Sequence, residues 1–505
     1  MKIGVVISTE QGPSPLHVDF VVTEGVVHQG QYVEVDSPQG RMLALVEDVV
    51  KTNRYFGQPE LVREYELRST MSQNFPVGEW EFLVGIARPM VVWSGKRAER
   101  PTVPPSPGAS VYVPSPENLK QFLGFVEDGL HIGTLQFHGV PARIDVSKLV
   151  QKHFAILAMS GAGKSYTTSV ILEELLNRTP GQGRIAVAVF DVHGEYVGFG
   201  EPAGPDHADY SDRTTVVSVD DMRIPIPTLN AYDFRYFLPN LSSAQMRELD
   251  RVIKGLRGEM DAGGGPYGLE DIIARVESDP GIKDNTKSSL VSWLRSLLST
   301  NLFDAVERPA VEAVISPGKL VVFDLSQTID AKKRQFVVTY FARRIFDLRR
   351  MGRVPPTLMV VEEAHNFVPS ERSREDAPAR GVIETIAREG RKFGAGLCLI
   401  SQRPVKLSST ALSQCNTHII LRITNPYDLE HVAESSEGID VRSKRMITNL
   451  RPGEAVIVGA AVSFPVFVRV RERRSAESKY EKNLVEMAVE FEKRSREVEE
   501  DLGLL

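Results

Sequence analysis

The stretch Phe154-Ala-Ile-Leu-Ala-Met-Ser-Gly-Ala-Gly-Lys-Ser-Tyr-Thr-Thr168 leaves few choices for the fold around it. Phe154 to Leu157 is a short apolar run that reads as a buried strand. From Thr167 to Leu176, Val170, Ile171 and Leu175 recur at helical spacing. Between the two lie Ser160, Gly161, Ala162, Gly163, Lys164 and Ser165, a phosphate-binding loop that opens a helix. The glycines let backbone N–H groups turn toward phosphates, and the helix N-terminus adds the positive end of its dipole. Lys164 can reach the β- and γ-phosphates of ATP, and the Ser165 hydroxyl can ligate Mg²⁺. Tyr166 follows at the start of the helix and joins the expected nucleotide contacts. The motif's first glycine is replaced by Ala158, which a backbone of negative φ accommodates.

The chain on either side divides by pattern. Residues 1–145 are a series of short apolar or alternating runs: Ile3–Ile7, Val18–Val22, Tyr32–Val35, Met42–Val46, Trp80–Ala87 and Ser110–Val113. Gly, Pro and Asn punctuate them, which predicts a small β-barrel. From 146 to 229, strands alternate with helices. Ile185–Phe190 reads as a buried parallel strand that delivers Asp191-Val-His-Gly-Glu-Tyr196 at its C-terminal end. Asp191, His193 and Glu195 can each serve near Mg²⁺, and Asp191 can equally cap a turn. Residues 230–305 read as an inserted helical segment, with helices from Leu241 to Lys254 and from Asn285 to Leu298. Between these helices, Asp261 to Gly268 forms a break. Residues 306–472 return to strands and helices, including a long helix from Lys332 to Arg350 whose arginines read as a solvated face. Residues 473–505 form an amphipathic helical arm.

The second decisive element is Thr357-Leu-Met-Val-Val-Glu-Glu-Ala-His365, an apolar strand carrying two carboxylates at its tip. Beside a phosphate loop, one carboxylate helps hold Mg²⁺ and the other orients and polarises the attacking water. Glu362 takes the metal side and Glu363 the base. The usual aspartate is Glu362 here, so the division can also run the other way. Gln402 follows the strand Gly396–Ile400 and is suited to sense the γ-phosphate. The polar segment after Glu363 supplies Arg372, Arg374 and Arg380, with Lys406 nearby, as candidate contacts for a phosphate-bearing partner; Glu371, Glu375 and Asp376 balance them if the loop is merely solvated. Arg388 and Arg391 are candidate arginine fingers, Arg388 first. The sequence alone also allows ion pairs of Arg388 with Glu384 or Glu389.

Composition narrows the partners. The 505 residues are 42% hydrophobic and 25% charged, with a net charge of −6, so any nucleic acid must meet a local basic patch. The two cysteines, Cys398 and Cys415, lack metal-ligand spacing and read as reduced core thiols. The apolar start is too short for a signal peptide, and no apolar run reaches the roughly 18 residues of a membrane span. A cytoplasmic protein without membrane contact is expected.

Gly161-Ala-Gly-Lys-Ser165, Asp191-Val-His-Gly-Glu-Tyr196, Val361-Glu-Glu-Ala-His365, Arg388-Glu-Gly-Arg-Lys-Phe-Gly394 and Ser401-Gln-Arg-Pro404 occur in that order. Together they resemble the HerA DNA translocases of the HerA/FtsK group over most of the chain. Ala158 and Val192, where proline is usual, depart from that pattern without removing a reactive group. The resemblance implies an α/β fold: a phosphate-loop, RecA-like ATPase core, an N-terminal β-barrel of the HAS type and the inserted helical segment. It implies a homo-hexameric ring that encircles double-stranded DNA and moves along it with ATP and Mg²⁺. It also implies a NurA nuclease partner in resecting broken ends, and an arginine finger supplied in trans. An ATP-driven protein remodeller, a conjugation-type coupling ATPase and an ATP-switched clamp are the alternatives.

Overall fold

The computed structural model describes the chain apart from residues 10–11, 54–55, 57–58, 68–79, 94–96, 371–376, 437, 479–483 and 502–505. Two compact units result. One comprises Met1–Val146, Ile419–Thr424 and Ser436–Arg471; the other comprises Ser147–His418, Asn425–Ser435 and Glu472–Leu505.

In the first unit, six strands close a barrel. Val18–Val22, Lys2–Val6, Ser110–Tyr112, Tyr32–Ser37, Gly40–Asn53 and Glu81–Trp93 are neighbours in that order, and Val18–Val22 pairs back onto Glu81–Trp93. Phe20, Val33, Val35, Ala44, Val46 and Ala87 are among the buried residues of its core. Gly40–Asn53 and Glu81–Trp93 are longer than the apolar runs suggest. Their pairing shifts register near Leu43 and again near Val46, and such bulges bend long strands enough to close a small barrel.

The same unit holds a second antiparallel set. Leu130–Leu135 pairs with Pro141–Ile144 and with Val466–Val470, which pairs with Glu454–Gly459. Residues 306–472 are therefore not one continuous part of the ATPase core as expected from sequence. Ser436–Arg471 clusters with Met1–Val146 because Val468 faces Leu135 across that ladder. The approach is close: a Cβ on Gly133 would lie 2.1 Å from the Arg469 carbonyl oxygen.

The second unit is built on a parallel sheet. Its strands lie in the order Thr214–Ser218, Leu320–Asp324, Ala186–Asp191, Thr357–Val361, Ala395–Ser401 and Phe154–Leu157. The inner four and Phe154–Leu157 are buried along their whole length, as strands covered on both faces must be. Helices Lys164–Leu176, Ala331–Arg350 and Ala379–Phe393 accompany the sheet. Cys398 and Cys415 are buried free thiols.

The helical segment is bracketed by a two-stranded parallel pair, Ile224–Pro225 with Phe303–Asp304. It holds Ser243–Asp261, Leu269–Ser278 and Asp284–Leu298. The middle helix is an addition to the sequence reading. Leu269, Ile272, Ile273 and Val276 are buried at helical spacing, but the helix is only ten residues long, set between the glycine-rich turn and the loop at Pro280. The arginines of Ala331–Arg350 are not simply solvated either. Arg343 pairs with Asp233 at 2.6 Å and lies over the Tyr236 ring, and Arg344 pairs with Glu307 at 3.2 Å.

Candidate active site

The phosphate loop has the backbone its sequence requires. Gly161 and Gly163 have φ of 75° and 96°, and Gly163 caps the helix that begins at Lys164. Ala158 is buried and is absent from the residues of positive φ, so its methyl is accommodated. Thr167 N–H donates to the Gly163 carbonyl at 2.9 Å, closing the first helical turn.

Lys164 is buried among carboxylates. Its Nζ lies 3.5 Å from Glu362 Oε1, 3.5 Å from Glu363 Oε1 and 3.7 Å from Glu195 Oε2. Burial alone depresses a lysine's basicity; the attraction of Glu362, Glu195 and Glu363 outweighs it and raises the Lys164 pKa. The Ser165 hydroxyl donates to Glu195 Oε2.

The two strand-tip carboxylates differ in their tethers. Glu362 is buried, and its Oε2 accepts from the backbone N–H of Val192 at 2.7 Å and of His193 at 3.1 Å. Glu363 sits in the left-handed region at φ 45°, a strained conformation for a non-glycine residue, and begins the short helix Ala364–Phe367. Its Oε2 is buried without a hydrogen-bond partner among the described residues. That oxygen is 3.2 Å from His365 Nδ1, but the ring nitrogen makes its hydrogen bond to Ser401 Oγ at 3.1 Å. His193 Nε2 lies 3.9 Å from Glu363 Oε1. His193, Glu362 and Glu363 thus bring one nitrogen and two carboxylate oxygens within 4.8 Å of one another.

Asp191 serves the turn. Its Oδ1 accepts from Gly194 N–H at 2.8 Å and Glu195 N–H at 3.1 Å, and its Oδ2 from Tyr196 N–H at 2.8 Å. Both oxygens are committed to backbone donors, so the capping alternative describes Asp191 here rather than direct nucleotide contact. The Asp191 turn supplies the two N–H donors to Glu362, and Glu195 and Glu362 both lie against Lys164. Burial, with the charge of Asp191 second, pushes Glu362 up to about 7. Burial and the contact with Glu362 push Glu195 up to about 7. Oxygen donors crowded around one ammonium are a fitting set for a hard divalent cation, and Ser165 and Glu362, the pair expected from sequence, could hold Mg²⁺.

The remaining candidates fall in three places. Gln402 follows the strand that lies between the phosphate-loop strand and the carboxylate strand, with Ser401 opposite Leu157. It is half-buried. The Tyr166 hydroxyl is taken by Arg473 N–H at 2.6 Å. Arg388 and Arg391 are exposed near the far end of the helix Ala379–Phe393. There a Cβ on Gly390 would lie 2.4 Å from the Ala395 carbonyl oxygen, at the start of a seven-residue strand whose other end carries Gln402. That strand is roughly 20 Å long, so neither arginine reaches the Lys164 of its own chain. Glu384 pairs instead with Arg380 at 3.0 Å, and Glu389 with Lys392 at 2.8 Å.

Of the DNA candidates, Arg372 and Arg374 lie outside the described residues. Arg380 is committed to Glu384 and reaches the Ser370 carbonyl at 3.4 Å. The Ser370 N–H donates to the Lys406 carbonyl at 2.9 Å, so the Arg380 side chain and the Lys406 backbone both contact Ser370.

Several contributors were not read from sequence. Glu173, fully buried on the phosphate-loop helix, accepts from Arg474 N–H, Ser475 N–H and Ser475 Oγ, each at 2.8 Å. A carboxylate between Leu172 and Leu175 was the available signal. Arg334 and Gln335 line a cavity of about 480 Å³ with Val192, Asn366 and Phe367. The Gln335 amide donates to the Asn366 carbonyl at 2.8 Å and accepts from Ala379 N–H at 3.3 Å, tying the Glu363 turn to the next helix. Nothing local in the sequence marks that bridge.

Residues 130–345 match the family model described as "Helicase HerA, central domain". The chain is 32% identical over 450 residues to the DNA double-strand break repair helicase HerA of Pyrococcus furiosus, covering 78% of each protein. The chain belongs to the HerA helicase family. It is also 30% identical to the probable helicase MJ1565 of Methanocaldococcus jannaschii, over 91% of this chain and 89% of that one. Among solved structures it is similar to VirB4 of Thermoanaerobacter pseudethanolicus, with a TM-score of 0.51, 17% identity and coverage of 68% of this chain and 97% of that one. That likeness shows the shared phosphate-loop α/β fold. No helix among the described residues is long and apolar enough to cross a membrane.

The raised carboxyls predict a pH dependence. Glu362 and Glu195 hold protons in the folded chain up to about 7, whereas an unfolded glutamate releases its proton near 4.5. Between those values the unfolded chain binds fewer protons at these two groups, so their contribution to stability falls as pH rises. Buried His138, His153 and His418, held down to about 4, pull the other way below about pH 6.5, so the urea midpoint of the nucleotide-free protein should decline from about pH 6.5 to about pH 7.5. Glu362→Gln should flatten part of that decline; a slope identical to wild type would contradict the assignment.

Proposed function

We propose that this HerA-family chain is an ATP hydrolase that drives a homo-hexameric ring along double-stranded DNA, working with a NurA-type nuclease on broken ends in the cytoplasm. The observation that carries the ATPase part is the convergence of Lys164, Glu362 and Glu363 at one end of the parallel sheet, with contacts of 3.5 Å. The DNA part rests on family membership and on what the Pyrococcus relative is named for.

In this reading the loop amides and Lys164 bind the phosphates. Mg²⁺, when bound, would supply charge neutralisation for the transferred phosphoryl group, and Ser165 and Glu362 would hold it. Glu362 is suited to that task because two backbone donors fix its position. Glu363 is suited to the base, since its Oε2 has no competing hydrogen bond among the described residues. Gln402, at the neighbouring strand tip, reports the γ-phosphate. Arg388, or Arg391 after it, acts on the site of an adjacent subunit, a role supported by its exposure and by its distance from its own phosphate loop. DNA phosphates meet the corner of Ser370, Arg380 and Lys406, together with Arg372 and Arg374, giving sequence-independent and salt-sensitive binding.

Duplex DNA should raise ATP turnover severalfold, while unfolded protein should leave it unchanged and Lys164→Ala should abolish it. Stimulation by unfolded protein alone would favour a protein remodeller. Mixing Arg388→Ala with Lys164→Ala chains, each nearly inactive, should recover turnover in mixed rings. Full activity of Arg388→Ala by itself would remove that residue from the mechanism.

A further inference from the structure

One carboxylate beside the phosphate loop has no task in that reading. Glu195 lies on the turn after the strand Ala186–Asp191, and Asp191 Oδ1 anchors its N–H at 3.1 Å. The turn is therefore built by its backbone, and the side chain is left for other work. That side chain accepts the Ser165 hydroxyl and lies 3.7 Å from Lys164 Nζ. It shares Lys164 Nζ with Glu362, whose Oε1 lies 3.5 Å from that nitrogen. Glu195 thus engages both loop residues whose side chains a nucleotide requires.

We propose that Glu195 is a switch carboxylate: it holds Ser165 and Lys164 in the nucleotide-free protein, and joins Ser165 and Glu362 in the oxygen set for Mg²⁺ once ATP binds. The proposal rests on the ATPase reading above. Glu195, Glu362 and Glu363 surround one ammonium, and Asp191 stands beside Glu362. A triphosphate that draws Lys164 away leaves buried carboxylates without their cation, a costly state that a divalent ion relieves. A triphosphate entering without the ion meets unneutralised carboxylates, Glu195 foremost because it sits on Ser165. Nucleotide and metal should then strengthen each other's binding by the same factor.

The test uses the full chain, a fluorescent ATP analogue with and without Mg²⁺, and Mn²⁺ as a paramagnetic probe of the metal position. Glu195→Gln keeps the shape and removes the charge; Glu195→Ala removes both. Without a divalent ion, both variants should bind the analogue more tightly than wild type. With nucleotide bound, both should bind Mn²⁺ about 10- to 100-fold more weakly, the range for lost ligand support. Unchanged Mn²⁺ affinity in Glu195→Gln, with normal folding by circular dichroism, would overturn the proposal. So would unchanged metal-free nucleotide affinity. Those failures leave the ATPase reading standing, whereas a wild-type chain that binds no nucleotide even with Mg²⁺ would remove the reading itself.

Discussion

A buried ammonium held by three carboxylates is the contact on which this site depends. Lys164 lies 3.5 to 3.7 Å from oxygens of Glu362, Glu363 and Glu195. At an effective dielectric near 20, each such attraction is roughly 4 kcal/mol before hydration losses. Three together exceed the penalty of burying the charge, which is why the Lys164 pKa rises despite burial. Removing the ammonium strands the carboxylates' charge in the interior, a state less stable than the intact cluster. The cluster is therefore both a structural knot and a cation site that phosphates and a metal can take over.

The sheet makes that knot possible. Parallel pairing puts the C-terminal ends of Phe154–Leu157, Ala186–Asp191, Thr357–Val361 and Ala395–Ser401 at one edge. Each end releases polar residues there: the phosphate loop, the Asp191 turn, Glu362 with Glu363, and Gln402. Asp191 closes its own turn, so that Val192 and His193 present their N–H groups to Glu362. Further support comes from the segment after Glu472. There Arg473 N–H donates to the Tyr166 hydroxyl, and the N–H groups of Arg474 and Ser475 donate to Glu173. The helix that begins at Lys164 is thus braced by backbone some 300 residues further along the chain.

Much of this was legible in the sequence because local chemistry specifies it. A strand, two turn-forming glycines, Lys164 and Ser165 leave little freedom, and buried strands such as Val187–Phe190 announce themselves by continuous apolar residues. The strand ends holding Glu362 and Glu363 were equally plain. What sequence could not settle was how carboxylates divide their labour, since Asp191 became a turn brace only through three specific amides. Nor could it assign Glu454–Val470, whose partner Leu130–Leu135 is more than 300 residues away. Gln335 and Glu173 act through contacts with distant backbone, which no periodicity encodes.

Single-turnover cleavage by Glu363→Gln reads out the division of labour between Glu362 and Glu363. This variant should bind ATP·Mg²⁺ within a few fold of wild type. Its cleavage should be at least about 100-fold slower, the lower end of what a general base contributes. Near-wild-type cleavage with intact binding would contradict the account and shift the base to Glu362.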